Sequence, residues 1–162
     1  MFFDLSAWGK NKILPKLKCN PREIGDVNAI PLILSLTATN CNPVLMYALD
    51  ACPLSSAQIS SLAYAYNAVF CKIFKSFDRN IISNCQYYTG TLPLKYAYDL
   101  GRLRLLASFH NAIGTPAGFL YKFDGRQESE CLRERYNLAL PLAGPAVLKK
   151  KVWDLFEREF IQ

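Results

Sequence analysis

His110 is the one imidazole in the chain, so any Ser–His or Cys–His nucleophilic couple would have to run through it. Its helical spacing with Tyr96, Leu100, Leu103 and Ala107 marks a packed side chain rather than a general base. The six cysteines, at 19, 41, 52, 71, 85 and 131, contain no C-x-x-C pair and no cluster with the histidine. That spacing gives no recognisable zinc site. Two-metal phosphoryl transfer gathers carboxylates around its cations. Here Asp50, Asp78, Asp99 and Asp124 stand singly and no Asp-Asp pair occurs. The phosphate-cradling loops GxGxxG and GxxxxGK[ST] are missing as well. The expectation is a chain without catalytic residues, metal, cofactor or small-molecule substrate.

What the side chains do offer is positive charge. Nineteen Lys and Arg against 13 Asp and Glu give a net +6 and a pI near 9.0, a balance that favours anionic partners. Tyr64, Ala68, Lys72, Lys75 and Arg79 follow one another at helical spacing, a basic strip with an aromatic ring at one end. Such a strip either tracks phosphates or is a solvated lysine face. Lys95, Asp99 and Arg102 share a face further on, and Lys149 to Lys151 form a short run near the end.

The elements that must carry these residues are helical. From Ile30 to Cys52 the positions Leu34, Ala38, Cys41, Leu45, Ala48 and Cys52 recur at three and four, which predicts a buried helix bent or broken at Pro43. Residues 29–49 hold no charge and are long enough to span a bilayer. Thr37, Thr39, Asn40, Asn42 and Pro43 interrupt them, so a kinked soluble helix is the expectation and no membrane partner. Ser55 and Gln58 form a capping box, stapled by Leu54 and Ile59. The helix they start buries Ile59, Leu62, Ala63, Tyr66, Phe70, Ile73, Phe74 and Phe77. Asp78 or Asn80 caps the next helix, which ends at Gly90 in the left-handed conformation. Pro93 opens a helix over about 94–112, with Gly114 just beyond it. "GTPAGFLYKFDGRQ" reads as a loop, followed by a short helix around 128–136, the loop "PLAGP" and a last helix burying Leu148, Val152, Leu155, Phe156 and Phe160. The fold class is mainly α, a small bundle of about four to six helices without an extended sheet. The N-terminus "MFFDLSAWGKNK" has no positive region before an apolar one, so reduced thiols in a cytoplasmic or nuclear, non-secreted protein are expected.

One ordered set of residues points to a family. "PVLMYALDACPLSSAQISSLAYAYNAVFCKIFKSF" resembles the segment after the polymerase core in reverse transcriptases of LINE-type, non-LTR retrotransposons, through Pro43, Tyr47, Asp50, Cys52, Leu62, Lys72, Phe74 and Lys75. "NIISNCQYYTGTLPLKYAYDLGRLRLL" is similar to the next block, through Cys85, Tyr88, Gly90, Leu92, Pro93 and Arg102. Ala48 stands where the family has glycine, Asp50 where it has glutamate, and Gly101 where a longer side chain is usual. The resemblance implies a helical thumb and its downstream extension, with the palm and its catalytic aspartates outside this chain. It divides the sequence into an irregular segment at 1–28, a thumb-like helical domain at 29–113 and a loop with a helical extension at 114–162. The implied function is a truncated, non-catalytic piece that binds the backbone of RNA or an RNA/DNA duplex without sequence preference. Lys72, Lys75 and Arg79 would contact phosphate, Tyr64 would stack, and Lys95, Arg102 and Arg104 would add secondary contacts. The other expectation is a helical protein-interaction module. A thumb without its palm exposes apolar surface, which favours self-association.

Overall fold

Ser55 starts the longest helix of the first half through the reciprocal bonds its sequence predicts. Its hydroxyl accepts from the Gln58 N–H at 3.4 Å, and its own N–H donates to Gln58 Oε1 at 2.9 Å. The computed structural model describes residues 30–47, 49–112, 114–139 and 144–161. Every regular element among them is helical and none is a strand, as the apolar periodicity predicts. The irregular segment at 1–28, Cys19, Ala48 and most of the "PLAGP" loop lie outside the described residues. The described residues fall into two units, one ending at Lys95 and the other beginning at Tyr96. That boundary falls inside a helix, upstream of the loop at 114 where the sequence suggested one.

In the first unit, α1 (Ile30–Leu36) passes through a π turn at Thr37–Cys41 into α2 (Asn42–Met46). The kink therefore lies just upstream of Pro43. Proline has no N–H to give the carbonyl four residues back, and its ring crowds that carbonyl, so the preceding turn widens. The Asn42 N–H reaches back five residues to the Thr37 carbonyl. Thr37 and Thr39 donate their hydroxyls to the Ile33 and Ser35 carbonyls at 2.8 and 3.0 Å. The expected burial is corrected here. No residue of α1 is buried, Leu32 and Leu36 are exposed, and burial begins only at Leu45 and Leu49. By length and composition Ile30–Ala51 could cross a membrane.

A 3-10 turn at Leu49–Ala51 leads to α3 (Ser56–Phe74), which buries Leu62, Ala65, Tyr66, Val69, Phe70 and Ile73, each residue three or four positions from another on the same helical face. The Tyr66 hydroxyl donates to the Leu92 carbonyl at 2.9 Å. Lys75 ends α3 in the left-handed conformation, at φ 52°. Phe77, expected in the core, is 85% exposed because the helix stops before reaching it. Asp78 caps α4 (Arg79–Tyr88) by accepting from the Asn80 N–H at 2.8 Å. Gln86 of α4 is buried against α3, donating to Asn67 Oδ1 at 2.8 Å. At its end the Gly90 N–H reaches the Tyr87 carbonyl and the Thr91 N–H the Gln86 carbonyl, the double closure that requires the positive φ of Gly90.

The second unit is built on α5 (Leu94–Asn111), whose limits match the Pro93 and Gly114 signals. The predicted loop at 114–127 is corrected. Thr115 caps α6 (Pro116–Leu120) by accepting from the Gly118 N–H, and Pro116 takes the first helical position, where no N–H is needed. A π turn at Tyr121–Gly125 joins α6 to α7 (Arg126–Arg135). Gly125 fits where a Cβ would come within 3.1 Å of Leu106 on α5 and of Tyr121. The last helix, α8 (Pro145–Ile161), buries Leu148, Val152 and Phe156, while Leu155 and Phe160 are half-buried. Its Phe156 ring lies 5.2 Å from Tyr96 and 5.5 Å from Trp153.

Candidate functional site

The predicted basic strip divides at the end of α3. Tyr64, 76% exposed, and exposed Lys72 ride on α3 itself. Lys75 sits at its left-handed cap, and Arg79 is the first residue of α4. The turn between the two helices thus carries Lys75 and Arg79 with Lys72 one turn before it, all three exposed. A straight helical ladder is replaced by a bend with cations on both sides.

The cations of α5 have different fates. Lys95 and Arg104 are exposed. Arg102 is buried, and its guanidinium grips the Glu128 carboxylate of α7 with Nε on Oε1 at 2.7 Å and Nη2 on Oε2. It is spent inside the fold, a two-point pairing that leaves no fork for a phosphate. Asp99, which shares its helical face, is also buried, only 5% exposed. Its Oδ2 accepts from Arg135 Nη1 at 3.0 Å and from the Tyr136 hydroxyl at 2.6 Å. Burial and the Asp99 charge together push the Tyr136 hydroxyl far above its ordinary range. Burial opposes the Arg135 charge, but Asp99 outweighs it and raises the guanidinium further. Tyr96 is raised in the same way by burial and by its bond to Glu159 of α8. These pairings tie α5 to the helices after it, because a charge taken from water must be matched at once.

Among the described residues, six of the eleven large apolar side chains left in water are aromatic. Phe119 and Phe123 are 62% and 76% exposed, with ring centroids 4.6 Å apart. Just beyond them Arg126 Nε donates to Glu130 Oε1 at 3.1 Å, an exposed pair one turn apart on α7. Phe77, Ile81 and Tyr88 are exposed at the start and along one side of α4. The sequence alone does not single out the Phe119–Phe123 pair, because the glycines and proline of its segment read as a loop. Thr115-Pro116 was the missed signal, a cap followed by the residue best suited to a first turn.

His110 packs edge-on to Tyr121 at 5.2 Å, and no three His, Cys, Asp or Glu side chains converge as metal ligands among the described residues. Cys41, Cys52, Cys71, Cys85 and Cys131 form no disulfide. No family model, curated protein or solved structure matches the chain.

Proposed function

We propose that the chain is a non-catalytic helical interaction module that pairs with a second copy of itself through the Phe119–Phe123 face. The observation that carries this reading is two touching phenyl rings left mostly in water. A patch of this kind on a folded surface marks an interaction site. The argument for a second copy rests on the flanking charges. Lys122 and Arg126 stand beside the rings together with Glu130, so one face carries both signs and is complementary to itself across a two-fold axis. Each ring withdrawn from water contributes about 1.5–3 kcal/mol. In sedimentation velocity the wild type is expected to form a concentration-dependent dimer. Phe119→Ser/Phe123→Ser should weaken dimerisation by at least about tenfold while keeping the helical circular dichroism. A wild type that stays monomeric at high concentration overturns the reading.

A second reading is favoured by the cations around the α3–α4 turn. Exposed Lys72, Lys75 and Arg79, with Tyr64 standing clear of the surface, are what a backbone-tracking contact on RNA or an RNA/DNA duplex would use. This is also where the resemblance to a LINE-type reverse transcriptase thumb places its contacts. Arg102 is no part of that surface. Binding lost in Lys72→Ala/Lys75→Ala and falling steeply with salt is expected on this reading.

A further inference from the structure

We infer that the second unit holds a binding site for a small aromatic phosphomonoester, in an open cleft lined by the end of α5, α6, the π turn and α7. The cavity has a volume of about 720 Å³, within the range of small-ligand sites. Three cations, Lys122, Arg126 and Arg133, line it against one carboxylate, Glu130. The lining therefore has an excess of two positive charges among the described residues. A phosphomonoester carries about −1.5 to −2 at neutral pH and matches that excess, where a carboxylate would satisfy half of it.

Arg133 is the least exposed of the three cations. Its Nε is closed to water, and so to an incoming oxygen, while the half-buried side chain as a whole keeps part of its surface open. Arg133 lines the cavity, and a guanidinium offers paired N–H donors that suit a phosphate oxygen. The rest of the wall is aromatic. Tyr121 and His110 meet edge to face, and Phe119 also lines the cleft. Rings so placed favour a planar ring system over an aliphatic chain. The phosphate is held by the side-chain cations without a glycine-rich loop, which explains why no phosphate-binding signature stands in the sequence. Phe119, Lys122, Arg126 and Glu130 belong to both this site and the proposed self-association face, so ligand and second copy are expected to exclude one another, and the titration is read at concentrations where the chain is monomeric.

Calorimetric titration of the full chain with AMP tests the inference, with inorganic phosphate and adenosine as probes lacking the ring or the charge. AMP is expected to bind at least about tenfold tighter than either, because it alone engages both walls. Arg133→Gln should weaken AMP by about tenfold or more. Glu130→Gln should tighten it several-fold, by removing the one opposing charge. A gain of affinity cannot come from misfolding, so this variant keeps the test sharp if Arg133→Gln fails to fold. No AMP binding, phosphate binding equal to AMP, or an affinity unmoved by Glu130→Gln each overturns the inference.

Discussion

Asp99 and Arg102 show what a single side chain conceals when only its neighbours in sequence are known. On a helical wheel they fall with Lys95 on a polar stripe, and a polar stripe is read as solvent-facing. Their partners lie 26 to 37 residues downstream, in Glu128, Arg135 and Tyr136, so nothing local announces that they are buried. Buried tyrosines give this scale its prediction. Burial pushes Tyr66 up to about 12, and burial with Asp99 raises Tyr136 further, while an unfolded tyrosine titrates near 10. Both hydroxyls therefore stay protonated in the fold at a pH where the unfolded chain releases its protons. Their contribution is complete below pH 10 and is lost as pH rises through the folded values. Urea unfolding should show stability falling above pH 10, with tyrosinate absorbance rising together with the loss of helix. At neutral pH, Tyr136→Phe should cost about 1–3 kcal/mol, because a buried acceptor loses its shortest donor. Tyr66 or Tyr136 ionising near pH 10 with the helices intact, read as the tyrosinate absorbance that Tyr66→Phe or Tyr136→Phe removes, would refute this account.

Among the elements, the ends proved more legible than the interiors. Ser55 with Gln58, Asp78 and Gly90 each act through bonds to backbone groups one to four residues away, and each stands where its type requires. The end of α7 uses the same double closure as α4, with the Asn137 N–H on the Glu134 carbonyl and the Leu138 N–H on the Arg133 carbonyl. Asn137 at φ 47° replaces glycine there, and asparagine serves turns and caps alike, so that end could not be read from the sequence. Among the described residues with positive φ, Lys75 is the one that is neither glycine nor asparagine. A lysine in the left-handed conformation costs about 1–2 kcal/mol that glycine avoids. Lys75→Gly is therefore expected to stabilise the chain by about 1 kcal/mol, less the entropy glycine adds to the unfolded state. A thermal melt should rise by about 2–4 °C. A lower melting temperature would mean that the Lys75 side chain contributes more than its backbone strain costs.

For the whole molecule, charge separates the two functional readings in one experiment. The net +6 makes two copies repel, so a dimer held by Phe119 and Phe123 forms against its own field. Added salt shortens the Debye length from about 10 Å at 0.1 M to about 3 Å at 1 M. Repulsion between copies is screened, apolar contact is kept, and self-association should strengthen or hold constant across that range. Contact with a phosphate backbone behaves in the opposite way. Lys72, Lys75 and Arg79 would displace condensed counterions, and three such contacts give a slope of log K on log salt near about −2 to −3. Sedimentation velocity and a duplex gel shift, run over the same salt series, read the two effects separately. A dimer that dissociates as salt rises would place its binding energy in the Arg126 and Glu130 pairs rather than in the rings. A flat gel-shift midpoint would remove the cations of the α3–α4 turn from any role in holding nucleic acid.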